Sequence, residues 1–298
     1  MNASMLTDSS AQRALSNARP DGLPVATFAG SGGGSLQELV RLLTASSASR
    51  VDPSWTVHIP ILRVRAESAL LHEGTPGQSL YVVRSGSFKC VRTMEDGYEK
   101  VLTLAQVGDL LGFEALHASP RQATALALED ATVYALPLGE LRDLQQRCPA
   151  LDEAVRHGLS RQLTRSAQIA EMMSAVASDV RLARFVLWLS ARMTDMGQSG
   201  HRIRLRLSRR DIASLLGLAH ETVSRSFTLL SQSRCLRVDN REIEILDMAA
   251  LRLRARTTRG LSLHGDLPPR TAAVAQPLTG PVPEPLSSAA WWRWPLAS

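Results

Sequence analysis

Residues 208–231, SRRDIASLLGLAHETVSRSFTLLS, leave the chain the fewest choices of fold. Ser208 followed by Asp211 puts a hydroxyl cap and an acid into the first turn of a helix. Ile212, Leu215 and Leu216 recur at helical spacing. Gly217 ends that helix, because glycine turns left-handed without a Cβ penalty. A second helix follows, with Val223, Phe227 and Leu230 as its buried stripe. Glu221, Ser224 and Arg225 fall at i, i+3 and i+4 on another face. Two short helices joined by a glycine turn form a helix-turn-helix, whose second helix enters the DNA major groove. The exposed residue types suit base reading: arginine forks onto guanine, a carboxylate accepts from cytosine, and serine serves either way. A plain helical hairpin is the competing reading, and the basic surroundings weigh against it.

Those surroundings are marked. The 298-residue chain carries a net charge of +6, while residues 201–260 hold thirteen arginines against six acids, a local +7. The remainder is therefore close to neutral, and a basic block on a folded module points to a polyanion. The length accommodates two ordinary domains. Cys90, Cys148 and Cys235 are odd in number and far apart, so no disulfide framework follows. Neither a signal sequence nor a bilayer-spanning run is legible, so a cytoplasmic protein without membrane contact is expected.

Residues 1–50 are rich in Ala, Ser and Gly and read as a flexible extension, with one short helix expected at 35–43. From 57 to 138 the period becomes that of strands: Val57–Val64, Leu80–Arg84, Phe88–Val91, Val101–Leu104 and Ala131–Leu136. Many short strands separated by glycines indicate a sandwich or jelly roll. A long helical pattern then runs from about 151 to 193. Val155, Leu159, Ile169, Met173, Val176 and Val180 fit a two-helix seam that pairs two copies of the chain, although Gln162 and Ser166 weaken its middle. Two subunits read a palindrome where one helix-turn-helix reads too little. Arg202 to Leu207 alternates as a half-exposed strand, and Asp239-Asn240 between Leu236–Val238 and Ile243–Ile245 signals a hairpin, together a wing. Arg209 and Arg210 are expected on backbone phosphates. Beyond 259 the chain is proline-rich, with Trp291-Trp292-Arg293-Trp294 read as part of a disordered tail, a buried cluster or a partner anchor. The expected order is thus an α+β chain: extension (1–50), β-roll (51–150), dimerisation and connecting helices (151–196), winged helix-turn-helix (197–258) and tail (259–298).

The run Glu221-Thr222-Val223-Ser224-Arg225 resembles the E-T-[IV]-S-R signature of the FNR-type branch of the CRP–FNR superfamily of bacterial transcription regulators. GTPGQSLYVVRSGSFK and VGDLLGFEAL are similar in spacing to the superfamily's cyclic-nucleotide-binding-type β-roll. The resemblance implies a cytoplasmic homodimeric DNA-binding regulator, an activator of transcription, recognising a TTGAT-N4-ATCAA-like palindrome in double-stranded DNA. It implies that Glu221, Ser224 and Arg225 read base edges, with His220, Thr222, Ser208, Arg209 and Arg210 as further DNA contacts. The sequence departs from the family at Ala219, where a Ser or Thr usually caps the recognition helix; losing that cap costs about 1 kcal/mol. The hairpin around Gly97, Tyr98 and Glu99 looks like the loop that FNR-type activators present to RNA polymerase, and a solvated turn explains those residues equally well.

The signal is less legible. Relatives that bind cyclic nucleotide use a Gly-Glu pair and a downstream Arg. Here Phe113 splits Gly112 from Glu114, while Arg121 is present. The preferred reading is a roll without cofactor, with haem (ligands among His72, His117 and His157) or cyclic nucleotide as alternatives. An iron–sulfur cluster is excluded, since no cysteine precedes Cys90. Oxidation of Cys235 is a further alternative to its being a small buried residue. The competing function is a small-molecule sensor acting through protein partners. No phosphate-cradling loop, metal cluster or nucleophile motif suggests an enzyme.

Overall fold

The structure, a computed structural model, describes residues 27–28, 33–45, 51–52, 57–117 and 120–258. The tryptophan-bearing tail and most of the expected N-terminal extension lie outside the described residues.

The first part is a roll of short strands. It comprises β1 (Thr27–Phe28), β2 (Gly34–Ser35), α1 (Leu36–Thr44), β3 (His58–Ile59), β4 (Ile61–Val64), β5 (Ala69–Leu71) and β6 (Ser79–Ser85). It continues through β7 (Phe88–Thr93), β8 (Glu99–Ala105), β9 (Leu110–Leu111), a 3-10 turn at Phe113–Leu116, β10 (Thr124–Ala127) and β11 (Ala131–Pro137). One sheet has the order β1-β4-β11-β6-β9 and the facing sheet β5-β10-β7-β8. Leu62, Val83 and Val133 of the first meet Phe88, Cys90 and Ala125 of the second in the core between them. The single strand expected over 57–64 is broken at Pro60, which has no amide for a ladder bond. The short strands β5, β9 and β10 were not legible because two to four residues carry too little of a period to read.

The outer face of the first sheet is covered by α1, which is more than a local helix. Ser35 caps it by accepting from the Glu38 amide, and Leu36, Leu39, Val40 and Leu43 are all buried. They pack with Leu80, Val82 and Tyr134 and with the helices that follow, so this part of the expected extension belongs to the roll.

Six helices and a small sheet complete the described chain. They are α2 (Leu138–Arg147), α3 (Pro149–Ser174), α4 (Ser178–Asp195), β12 (Arg202–Arg204), α5 (Arg209–Leu216), α6 (His220–Gln232), β13 (Leu236–Asp239), β14 (Glu242–Ile245) and the last helix α7 (Met248–Arg256). The helical pattern expected to run unbroken to 193 stops at Ser174, where Ala175 becomes extended with ψ 141°. The expected seam does not survive this break. Val155 and Ile169 are buried within their own chain, Val176 lies in the break, and Val180 is buried on α4. The face of α3 that remains open carries Ser160, Leu163, Ala167 and Ala170, and Leu163 is 74% exposed. Sequence period alone cannot tell an apolar row that covers its own β-roll from one that meets a second subunit.

Helix α4 also sits differently from its expected place among the connecting helices. Leu182, Phe185, Val186 and Leu189 join Ile212, Leu216, Val223, Phe227 and Leu230 in one buried cluster. Val91, Val101 and Leu104 on the outer face of the second sheet belong to the same cluster. Apolar packing is therefore continuous from the roll into the helix-turn-helix.

Candidate DNA-binding surface

The first helix of the pair, α5, starts with a full capping box. Ser208 Oγ accepts from the Asp211 amide at 3.1 Å, and the Asp211 carboxylate accepts from the Ser208 amide at 3.0 Å. Two otherwise orphaned donors are thereby satisfied. The Ser208 hydroxyl also donates to Asp211 at 2.6 Å, so its bonding capacity is spent within the cap rather than offered to DNA. Gly217 ends the helix at φ 62°, the left-handed geometry that a side chain resists. Arg181 of α4 donates to the Leu216 carbonyl at 2.9 Å, securing that helix end.

Recognition helix α6 begins at His220 behind Ala219, which has cap geometry (φ −72°, ψ 149°) but supplies no side-chain hydrogen bond. Val223, Ser226, Phe227 and Leu230 are buried. Glu221, Ser224 and Arg225 are exposed together with His220, while Thr222 is half-buried. No carboxylate pairs with Arg225 or with exposed Arg210 among the described residues. The helix thus offers an unpaired acid and guanidinium on one open face, with the Ser224 hydroxyl between them donating to the His220 carbonyl at 3.3 Å.

Arg209 departs from the expected phosphate contact. Its guanidinium lies 3.6 Å above the Phe227 ring and donates to the Asn240 carbonyl at 3.1 Å. Burial holds its pKa below the ordinary arginine value. Arg209 therefore braces the recognition helix against the wing turn. The wing is the sheet β12-β14-β13, turned at Asn240 with φ 50°. Its arginines are largely matched by glutamates: Arg237 and Arg202 approach Glu244 at 2.6 and 3.6 Å, and Arg204 approaches Glu242 at 3.5 Å. Three of the segment's thirteen arginines are thus held by glutamates that the net of +7 already subtracts.

A second set of contacts ties this module to the roll. Ser214 of α5 is buried, accepts from the Val101 amide at 2.8 Å and donates to the Glu99 carbonyl at 3.0 Å. Lys100 donates to the Ser214 carbonyl, and Lys89 pairs with Asp211 at 2.6 Å. For Asp211, burial acts to raise the pKa, but hydrogen bonds from Lys89 and Ser208 outweigh it and hold the carboxyl below its ordinary value. Nothing in the sequence pattern marked Ser214 for this part.

Inside the roll, Glu114 and Arg121 do come together, at 3.9 Å. Arg121 is almost fully buried, donates to the Ser79 carbonyl at 3.2 Å and packs against Gly112, where a side chain would collide with it. His72, His117 and His157 do not converge on a common centre with other ligand types: no group of three or more His, Cys, Asp or Glu able to hold a metal occurs among the described residues. Cys90, Cys148 and Cys235 are all buried, and burial pushes the Cys90 thiol up to about 12. No helix among the described residues is long and apolar enough to cross a membrane.

Residues 61–148 match the cyclic nucleotide-binding domain family, and residues 180–254 match the Crp-like helix-turn-helix domain. The transcriptional regulatory protein btr of Bordetella pertussis is 32% identical over 191 residues, which span 64% of this chain and 79% of the relative. The chain belongs to the CRP–FNR superfamily. This CRP–FNR chain is also 32% identical to the transcriptional activator protein anr of Pseudomonas aeruginosa, over 61% of its own length and 75% of the relative's. It shares its fold with FixK2 from Bradyrhizobium japonicum, at a TM-score of 0.58 and 20% identity, over 68% of this chain and 98% of that one. It is a DNA-binding transcription regulator, with a cyclic-nucleotide-type roll ahead of a winged helix-turn-helix. The start of the second match at 180 agrees with the packing of α4 into the DNA-binding module.

Proposed function

We propose that this regulator binds as a homodimer to an FNR-type palindrome, TTGAT-N4-ATCAA-like, and activates transcription. One observation carries the reading: Glu221, Ser224 and Arg225 stand exposed on one face of a helix whose opposite face is locked into the core. Arginine and carboxylate at these spacings match base edges in the major groove. Arg210, beside them at the start of α5, takes a backbone phosphate. The exposed Ser160, Leu163, Ala167 and Ala170 face of α3 is the surface that meets the second subunit, in place of the seam read from the sequence. Met94 and Tyr98 project from the β7–β8 hairpin, half exposed, and with Gly97 and Glu99 form the contact offered to RNA polymerase. The chain acts through binding rather than catalysis, in the cytoplasm. The Phe113 that splits Gly112 from Glu114 favours a roll that works without cyclic nucleotide over the sensor reading, and Arg121 there holds the Ser79 carbonyl.

The test is fluorescence anisotropy with the palindrome and with single-base variants of it. Arg225→Ala is expected to weaken binding by about 1–3 kcal/mol and to relax preference at one position of each half-site. Equal affinity and equal selectivity for parent and variant would remove Arg225 from base reading.

A further inference from the structure

A cleft of about 820 Å³ lies away from both the DNA-binding face and the Glu114–Arg121 pair. It is bounded by Arg41 and Leu42 of α1, the 106–109 turn of the roll, Arg161 and Arg165 of α3, and the end of α4 at Arg192 and Asp195. Its size falls in the range of small-molecule sites.

Its charge is unusual for a structural joint. Four guanidiniums, from Arg41, Arg161, Arg165 and Arg192, surround it against two carboxylates, Asp195 and the buried Asp109, a surplus of two positive charges. Asp109 is fully committed: it pairs with Arg165 and, at 2.7 Å, with Arg192, and it also accepts from the Gln106 amide at 3.0 Å. Arg192 donates to the Gln106 side chain at 2.5 Å, and Arg161 donates to the Gly108 carbonyl at 2.6 Å. These bonds fix the guanidiniums without exhausting them. Arg192 is only 7% exposed, yet its Nη1 has no hydrogen-bond partner among the described residues, and neither has the buried Nε of Arg161. Burial, joined by repulsion from Arg192, holds the pKa of Arg161 below the ordinary arginine value and brings Arg165 down to about 10, and burial brings Arg192 down to about 10 as well.

Buried charged donors without partners are costly and are kept seldom without use. Crowding three guanidiniums around Asp109 and Asp195 adds to that cost. An anion in the cleft relieves both. Guanidiniums prefer oxyanions that accept forked hydrogen bonds, and a charge surplus of two matches a dianion. We propose that this cleft binds a small molecule through a phosphate-monoester dianion. The bound group ties α1, the 106–109 turn and α3 to the end of α4, the helix whose other residues pack beneath the recognition helix. The site is therefore placed to report on a phosphorylated compound at the joint between roll and DNA-binding module.

The proposal goes beyond the DNA-binding reading and is tested without DNA. The full-length protein is titrated by calorimetry with inorganic phosphate and with glucose 6-phosphate. Glucose and sodium chloride at matched ionic strength serve as controls. Saturable binding of either phosphate, absent with glucose and chloride, is expected; tighter binding of the sugar phosphate identifies a metabolite site, and equal binding a site for free phosphate. Arg41→Glu replaces an exposed cleft arginine whose side chain makes no hydrogen bond or ion pair among the described residues, and should lower affinity at least tenfold while leaving the melting temperature of the free protein unchanged. Arg161→Gln should act in the same direction. Arg210→Gln, on the helix-turn-helix, should leave the affinity as it was. No saturable binding by the parent overturns the proposal. So does binding that Arg210→Gln removes and Arg41→Glu spares, which would place the anion on the DNA-binding face.

Discussion

Replacing Ser214 by alanine tests whether the DNA-binding module is locked to the roll through a strand edge. Strand β8 is the outer strand of its sheet, so one row of its backbone groups lacks a strand partner. The Ser214 hydroxyl satisfies two of them, the Val101 amide at 2.8 Å and the Glu99 carbonyl at 3.0 Å. Val101 is 2% exposed and cannot turn to water once the hydroxyl is gone; Glu99 is exposed and its carbonyl can. The variant therefore leaves one buried donor unpaired, at about 1–3 kcal/mol. Alanine regains roughly 0.5 kcal/mol of helix propensity, so the net destabilisation should be about 1–2 kcal/mol. In a unit of this size that lowers the melting temperature by about 2–4 °C per kcal/mol. The decisive readout is amide hydrogen exchange: Val101 should exchange faster in Ser214→Ala, while amides of the inner strands β6 and β11 keep their protection. If Val101 exchanges as slowly in the variant as in the parent, the hydroxyl does not hold the two parts together and the lock is refuted.

Two further outcomes rest on the same packing. Ala219→Ser supplies the missing cap at a position already in extended cap geometry, so stability should rise by about 1 kcal/mol and DNA affinity should rise with it; an unchanged melting temperature would show the helix start to be satisfied otherwise. Leu163→Asp places a charge on the open face of α3, and should convert a dimer into a monomer in analytical ultracentrifugation and abolish palindrome binding; a dimer that persists would move the interface elsewhere.

The helix-turn-helix was legible because its signals are local and redundant. A cap at Ser208, an acid at Asp211, a left-handed glycine at 217 and two stripes at helical spacing each restrict the same few residues. The roll was legible in its long central strands for the same reason, since Leu80–Arg84 and Ala131–Leu136 are apolar runs between turns. Elements whose burial depends on distant residues were not. Helix α1 is nine residues long and sits beside a glycine run, so its local pattern says little. Its four buried apolar residues gain their meaning only from Leu80, Val82 and Tyr134, which arrive some forty to ninety positions later.

The displacement of the seam and the engagement of Arg209 within the protein have one physical origin. A residue type states what a side chain can do, whereas its role depends on which partner reaches it first. Val155 and Ile169 can pair with a second subunit, but the chain's own core takes them, and Leu163 is left exposed. Arg209 can hold a phosphate, but Phe227 and the Asn240 carbonyl lie closer, and Arg210 is left exposed. The wing arginines can raise the field at the DNA, but Glu242 and Glu244 stand across the hairpin from them. The thirteen arginines of residues 201–260 therefore overstate the number of phosphates the protein neutralises. Since the salt dependence of binding counts phosphates rather than arginines, its slope should reflect the exposed, unpaired group around Arg210 and Arg225 and not the composition of the segment.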